Sequence, residues 1–180
     1  MPRTSNSRDR ERIPPMLPSG KHKAETLAIV RRVLSEIGDR PFDAQLEFRL
    51  NRHFGLSSVT YEALAKLLNL GVEEGWAGYA PVEGAGYLRG RIAEPATEMM
   101  GMSVESAVMC NVKGQYHCHT RGEIDLVIPM DSNAQFCGHG AGWVVYPPLT
   151  EHFPIVTGGK ALIMFFLPGG ENEYKQPPAA

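Results

Sequence analysis

The sequence predicts a mainly β protein, in which a small antiparallel barrel of the jelly-roll type follows about three α-helices. Helical periodicity is confined to residues 21–76, whereas short alternating segments separated by Gly and Pro turns fill residues 77–170. A chain of 180 residues can bury one core with a small accessory unit, but not two large domains. We therefore expect a helical unit over 21–76, a barrel over 77–170 and a C-terminal tail over 171–180.

Three helices account for the N-terminal unit. Residues 1–20 are rich in Pro, Arg and Ser and are predicted to form a disordered tail. The first helix should cover residues 21–37, because Gly38 ends a run of apolar residues at helical intervals. A second helix should follow Pro41 and stop at Gly55. A third should begin near Ser57 or Ser58, either of which can cap it, and end before Gly75.

After Trp76 the pattern changes to that of β-strands. The predicted strands are residues 86–93 and 103–112, then a strand that carries His117 and His119, and then residues 122–130, 142–146, 152–156 and 161–167. Turns are expected at residues 129–133, 138–140 and 147–150, and a hairpin turn at Thr157-Gly158-Gly159-Lys160. Many short strands joined in this way indicate an antiparallel barrel.

The strand that begins at Glu123 should have two different faces, because side chains alternate along a strand. If Glu123 faces the interior of the barrel, so do Asp125 and Val127. The outward residues are then apolar and need a cover: Ile124, Leu126 and Ile128. The N-terminal helices or a second subunit would provide that cover, and we expect a homodimer.

Composition excludes several functional classes. The net charge of −2 provides no basic surface for nucleic acid, and no run of about 18 apolar residues predicts a membrane span. The first ten residues are polar and charged, without the apolar region of a signal peptide. Three cysteines without a Cys-x-x-Cys pair favour a reducing cytoplasm. No glycine-rich nucleotide fingerprint or Walker loop is present, so we expect no nucleotide or flavin cofactor.

A cluster of potential metal ligands is the most informative feature of the sequence. His117 and His119 lie two residues apart in a β-type segment and should share one strand face. Glu123 can rejoin that face after a turn, and His152 on a later strand would complete the set. Three imidazoles and one carboxylate can hold a divalent ion, but Mn, Fe, Co, Ni and Zn all suit such a set.

The spacing His-x-His-x3-Glu, followed by a distant His, resembles the metal signature of cupin barrels. The stretch from Gly114 to Pro168 is further similar to the 4-hydroxylaminobenzoate lyase family. The residues that carry the resemblance are His117-x-His119-x3-Glu123-Ile124-Asp125-Leu126, Phe136, Gly138-x-Gly140-Ala141-Gly142-Trp143-Val144-Val145-Tyr146-Pro147, His152, Gly158-Gly159 and Leu167-Pro168. The chain departs from the general cupin pattern at Leu149, where a glycine is usual.

This resemblance implies a metal-dependent lyase that converts 4-hydroxylaminobenzoate to protocatechuate and ammonia in nitroaromatic degradation. Besides Glu123, the proposed catalytic residues are Tyr146, as a proton donor, and Asp125, which could orient a ligand histidine. Glu105 is expected to be an exposed carboxylate.

A benzoate substrate also requires a cation for its carboxylate and aromatic residues for its ring. Arg89 and Arg91 share one face of a predicted strand, and we rank this pair above Arg121 as the cation. The candidate ring-binding residues are Trp143, Phe136 and Phe153.

Two other functions remain open on sequence alone. The same ligands could hold Fe(II) in a cupin dioxygenase that acts on an aromatic substrate, and oxygen dependence would distinguish it from a lyase. A sensor or binding module without catalysis would instead have a closed metal site with no exchangeable water.

Overall fold

The computed structural model describes residues 20–178, so almost all of the predicted disordered tail lies outside the described residues. Within this range the chain begins with three helices and continues as ten strands. The helices are α1 (Lys21–Ile37), α2 (Ala44–Phe54) and α3 (Val59–Glu73). The strands are β1 (Ala80–Pro81), β2 (Leu88–Ala93), β3 (Met102–Lys113), β4 (His117–His119), β5 (Glu123–Pro129), β6 (Gln135–Phe136), β7 (Gly142–Tyr146), β8 (Thr150–His152), β9 (Ile155–Pro168) and β10 (Glu173–Tyr174).

The ends of the helices follow the local sequence signals. Gly38 ends α1 in a left-handed conformation, with φ of 55°. The Asp43 carboxylate caps α2 by accepting hydrogen bonds from the backbone N–H groups of two following residues, and the Ser58 hydroxyl caps α3 in the same way. Of the two serines proposed for that cap, the structure selects Ser58. No helix between residues 20 and 178 is long and apolar enough to cross a membrane.

The strands form two antiparallel sheets that face each other. The larger sheet has the order β1-β2-β3-β9-β5-β7, with β6 paired to β9, and the smaller sheet has the order β10-β4-β8. This is the cupin-like jelly roll that the sequence predicts, with three helices before it.

The larger sheet separates two hydrophobic clusters. Its outer face packs against the helices and includes Ile124, Leu126 and Ile128, while Val127 belongs to a second cluster inside the barrel. The alternation predicted for β5 is therefore correct. Helices of the same chain cover the apolar outer face, so this face no longer requires a second subunit, and the homodimer stays a prediction.

Helix α2 also closes the edge of the larger sheet at β7. The side-chain amide of Asn51 donates to the backbone O of Trp143 at 2.7 Å and accepts from its backbone N at 2.9 Å. The Glu47 carboxylate accepts from the backbone N of Val145 at 2.9 Å. These side chains form hydrogen bonds with backbone groups that an edge strand would otherwise leave unpaired. They therefore hold β7, which carries Tyr146, in place.

The predicted hairpin at Thr157–Lys160 is wrong. These residues lie within one long strand, β9, in which Gly158 and Gly159 have φ values of 74° and 133°. The register of β9 against β3 shifts here, and Asn111 of β3 also has a positive φ. The two glycines therefore form an irregularity of the β3–β9 pair instead of a chain reversal.

The turn between β7 and β8 holds an unusual residue at the position where the general cupin pattern has glycine. Leu149 has φ of 67° and is 72% exposed. Its backbone N–H donates to the backbone O of His119 at 2.8 Å, which ties this turn to the strand of the paired histidines. A left-handed backbone explains why glycine suits the position.

The segment predicted as a C-terminal tail contains a strand. Strand β10 pairs with β4, so that Tyr174 lies opposite His117 and Glu173 lies opposite Cys118. The sequence of this short polar segment has no clear strand pattern. The segment forms a strand because it pairs with the edge of β4.

We expect Asn51→Ala to lower the free energy of unfolding by about 1–2 kcal/mol, because it removes two hydrogen bonds to the edge strand. Chemical denaturation measures this change. Asn69→Ala is the matched control, since Asn69 bonds only within its own helix, to the backbone O of Ala65. Equal losses in the two variants would contradict the proposed contribution of Asn51 to the sheet edge.

Candidate metal centre

Three histidines meet between the two sheets. His117 and His119 lie on the central strand of the smaller sheet and share its inner face, and His117 is directly opposite His152 on β8. One ring nitrogen from each imidazole lies within 4.8 Å of the others. The structure thus brings together three of the four metal ligands that the sequence predicts.

The second nitrogen of each imidazole has a separate partner. Nδ1 of His117 lies 2.9 Å from the backbone O of Gln115, and Nδ1 of His119 lies 3.2 Å from Oδ1 of Asn172. Nδ1 of His152 lies 3.6 Å from Sγ of Cys137. The Nε2 atoms of His119 and His152 are 3.0 Å apart. Nδ1 contacts of this kind leave Nε2 available as the ligand atom, as in many metal sites.

The electrostatics suit a metal as well. Burial, followed by the neighbouring imidazoles, lowers the pKa of His152 to about 4. Burial also lowers the pKa of His117. Neutral imidazole is the form that binds a metal ion, so these two rings are ready to coordinate near neutral pH. Three imidazole nitrogens suit the same divalent ions that the sequence left open.

Glu123 does not join the converging Nε2 atoms. Its Oε2 lies 3.4 Å from Nδ1 of His119, on the side of the ring away from His152, and 3.5 Å from Nδ2 of Asn172. Burial would raise the pKa of Glu123, but the hydrogen bond and charge of His119 outweigh it and lower the pKa. In this arrangement the Glu123 carboxylate contacts the His119 ring and can orient it. We had predicted this role for Asp125.

A pocket opens beside His117, between the two sheets. Six of the fourteen residues in its wall are apolar, among them Met109 of β3 and Phe165 of β9, and the other eight are polar or charged. The polar residues are Arg89, Gln115, His117, Glu123, Asp125, Asn172 and the tyrosines Tyr87 and Tyr174.

Asp125 is the most unusual polar group of this pocket. The residue is fully buried, and neither carboxyl oxygen has a hydrogen-bond partner among residues 20–178. Burial, followed by the charge of Glu123, raises the pKa of Asp125 well above its ordinary value. A neutral acid is therefore favoured here, and its proton could be donated to Glu123 or to a bound molecule. It forms no hydrogen bond to a histidine in the described part of the chain, contrary to our expectation.

Tyr146 is close to the histidines without being part of the pocket wall. Its ring stacks on His119 at a centroid distance of 5.2 Å, and its buried hydroxyl has no hydrogen-bond partner within the described residues. Burial raises the pKa of this hydroxyl. Of the two candidate proton donors, Asp125 therefore lines the pocket and Tyr146 does not.

Of the three candidate arginines, only Arg89 lines the pocket. Nε and Nη2 of Arg89 contact Oε2 of Glu105 at 2.9 and 2.8 Å, and Nη1 donates to the Tyr174 hydroxyl at 3.0 Å. Arg91 points elsewhere and binds Glu94, Glu105 and the backbone O of Gly170. Arg121 is exposed and outside the pocket. The expectation that Glu105 is exposed was wrong, because two guanidinium groups neutralise it in the interior.

Among the proposed ring-binding residues, Phe136 lines the pocket and packs edge-on against His152, with 6.3 Å between the centroids. The proposal for Trp143 is wrong. Its indole lies on the outer face of the larger sheet, where it stacks on Phe166 and donates to the backbone O of Phe54. Phe153 also lies outside the pocket, beneath the ammonium group of Lys113.

Four residues that contact the histidines or Arg89 were missed by sequence reasoning. Gln115, Asn172 and Tyr174 lie in segments without a strong pattern, and Cys137 lies in a turn with a positive φ. Only the alternation of Asn172 and Tyr174 around Glu173 could have suggested a shared face. It becomes informative once β10 is known to pair with β4.

Comparisons with known proteins place this chain in a family. Residues 28–174 match the family model of 4-hydroxylaminobenzoate lyase. A 4-hydroxylaminobenzoate lyase from Nocardioides sp. (strain LMS-CY) is 37% identical over 154 residues, which cover 82% of this chain and 91% of the relative. One from Pseudomonas putida is 33% identical over 165 residues, which cover 83% of this chain and 94% of the relative.

Solved structures support the fold alone. A chain from the crystal structures of the DMSP lyases RdDddP and RnDddQII superposes with a TM-score of 0.54 and 15% identity, covering 87% of this chain and 97% of that one. The DMSP lyase DddQ from Ruegeria pomeroyi superposes with a TM-score of 0.52 and 10% identity, covering 89% and 99%.

We expect the purified protein to bind about one divalent ion per chain and His119→Ala to lose it, because removal of one imidazole leaves an incomplete site. Elemental analysis after gel filtration measures the bound metal. His139→Ala is the matched control, since His139 lies exposed in a turn outside the cluster. Full metal content in His119→Ala would refute the assignment.

Proposed function

Because the chain belongs to the 4-hydroxylaminobenzoate lyase family, we propose that it converts 4-hydroxylaminobenzoate and water to protocatechuate and ammonia at the three-histidine centre. The observation that carries this proposal is the position of three convergent imidazoles beside a pocket whose wall includes His117, the buried carboxyl group of Asp125 and the guanidinium group of Arg89. These groups match the needs of a reaction at one end of an aromatic acid whose other end is a carboxylate.

The reaction balances without an electron acceptor. The N–O bond breaks, and its oxygen leaves as a molecule of water. One water then adds to the ring carbon next to the carbon that bears the nitrogen. Another water hydrolyses the resulting imine, so that oxygen replaces the nitrogen. Two waters enter and one leaves, so the net change is one water added and one ammonia released. The residues of the site must therefore transfer protons and bind the substrate, which requires an acid–base group and a cation.

Asp125 is suited to move the protons. Its neutral carboxyl group can protonate the departing hydroxyl oxygen, and the resulting carboxylate can take a proton from the water that adds to the ring. Burial raises the pKa of Asp125 well above its ordinary value, which favours the protonated form that this role requires. A divalent metal, when held by His117, His119 and His152, would supply a Lewis acid for the hydroxylamino oxygen or a water of lowered pKa.

Arg89 is suited to bind the carboxylate of the substrate. Its guanidinium group lies against the ring of Phe165, 5.0 Å from the centroid, and keeps N–H groups beyond those bound to Glu105 and Tyr174. The apolar walls between Arg89 and the histidines would hold the ring. A para-substituted benzoate is too long to place both ends on one ion, so its carboxylate needs a separate cation.

Anaerobic incubation of the metal-loaded protein with 4-hydroxylaminobenzoate tests the activity. We expect equal amounts of protocatechuate and ammonia to form without oxygen, because the reaction is redox-neutral. Turnover that needs stoichiometric oxygen would instead indicate the dioxygenase. The absence of turnover in protein that binds the substrate would favour the binding module.

Glu123→Gln tests the position of the carboxylate. The contact with Nδ1 of His119 predicts that the variant binds the metal about 10–100-fold more weakly, as expected when a partner of a ligand histidine is lost. Competition with a chelator measures the affinity. Complete loss of metal, as in His119→Ala, would make Glu123 a direct ligand, as its spacing in the sequence predicts.

Arg89→Met should raise the KM for 4-hydroxylaminobenzoate, since a charge-assisted pair contributes about 1.5–3 kcal/mol, equivalent to roughly 10–150-fold. We expect kcat and metal content to stay unchanged, because Glu105 remains paired with Arg91. Arg121→Met is the matched control on the surface. For phenylhydroxylamine, which has no carboxylate, the KM of Arg89→Met should differ little from that of the parent protein. An equal loss with both substrates would contradict the role of Arg89.

A further inference from the structure

We propose that Asn172 is a positioning residue for His119 and Glu123, brought to the metal centre by the C-terminal segment Gly169–Lys175. This inference rests on the proposed function, because it assigns a task to a residue that contacts the proposed metal centre. The argument follows the path of the segment, the direction of its side chains and the chemistry of an amide.

The path of the segment depends on two consecutive glycines. Gly169 and Gly170 have φ values of 72° and 73°, which favour glycine, and they turn the chain away from the end of β9. The backbone N–H of Gly169 donates to the O of Gly101 at 2.8 Å, and that of Gly170 donates to the O of Leu167 at 2.9 Å. A Cβ on Gly170 would lie only 3.0 Å from Cγ of Pro95. The turn is therefore tightly packed and directs the following residues back across the barrel.

Strand β10 then places alternate side chains on the two sides of the smaller sheet. Tyr174 pairs opposite His117, whose imidazole faces the pocket, and Asn172 shares that side. The outward residues anchor the segment, since Nζ of Lys175 contacts Oε1 of Glu151 at 2.7 Å. The backbone N–H of Lys175 also donates to the O of Tyr116 at 3.1 Å.

The side-chain amide of Asn172 contacts one hydrogen-bond donor and one hydrogen-bond acceptor. Its Oδ1 lies 3.2 Å from Nδ1 of His119 and can accept that N–H, while its Nδ2 lies 3.5 Å from Oε2 of Glu123 and can donate to it. An aspartate at this position could accept but not donate, and a leucine of similar size could do neither. Of these three side chains, only the amide can serve both neighbours.

This contact has a consequence for the metal centre. When the proton of His119 is held on Nδ1, the lone pair of Nε2 faces the other imidazoles, which is the tautomer that binds a metal through Nε2. The donated N–H also holds Glu123 beside the same ring. Asn172 thus favours, together with Glu123, one tautomer and one orientation of His119 from outside the set of converging nitrogens.

Two variants of the full-length protein separate this role from simple filling of space. In Asn172→Leu, the Nδ1–H of His119 should exchange with water at least about tenfold faster, and Zn²⁺ affinity should fall by about 10–100-fold, as for other partners of ligand histidines. In Asn172→Asp, which retains an acceptor, the Nδ1–H should stay protected. Glu173→Gln, on the outward side of the same strand, should change neither quantity.

Nitrogen-resolved NMR of the imidazoles without added metal measures the exchange, and chelator competition with Zn²⁺ measures the affinity. A leucine variant with unchanged exchange and unchanged affinity would overturn the inference, because a residue that only fills space tolerates leucine. The NMR result does not depend on turnover. If the protein fails to convert 4-hydroxylaminobenzoate while the Nδ1–H responds as expected, the proposed function fails and the role of Asn172 stands.

Discussion

The packing of the three helices on the outer face of the larger sheet is the interaction on which the rest of the structure depends. The central strands of this sheet have apolar residues on both faces, and the outer set is buried only because helices cover it. Burial of apolar surface is the main favourable contribution to folding. With this second core outside the barrel, the interior can hold charged and polar groups that a small barrel with one core could not accommodate.

The charges in the interior are arranged so that most of them have partners. Glu105 lies between Arg89 and Arg91, and Glu123 lies between His119 and Asn172. Asp125 is the exception among the described residues, since its oxygens accept no hydrogen bond and its charged neighbour is the like-charged Glu123. An unpaired buried carboxyl group lowers stability unless it stays neutral. Its position on the pocket wall is therefore best explained by function, because a purely structural site would favour an apolar side chain of similar size.

The smaller sheet combines parts of the chain that are distant in sequence. Strand β4 carries two histidines, β8 carries the third, and β10 adds Tyr174, with Asn172 directly before it. Each strand has two or three residues, so none would be stable alone. Hydrogen bonds from turns hold these strands in place, including the one from Leu149 to His119. The site thus depends on contacts across the whole barrel, although its ligands come from short segments.

The sequence by itself determined the fold class, the three helices, most of the longer strands and the three histidines that converge, whereas it missed β1, β6 and β10 and placed a turn inside β9. These features follow from local periodicity and spacing, which need no knowledge of neighbouring strands. Only the tertiary structure decided which arginine faces the pocket, that Trp143 lies outside it, that Glu105 is buried and that Asn172 reaches His119. Each of these depends on pairing between distant strands: β2 with β3 brings Arg89 and Arg91 to Glu105, and β10 with β4 brings Asn172 to the histidines. Alternation along one strand shows which residues share a face, but the strands packed on that face decide whether it is a core or a pocket.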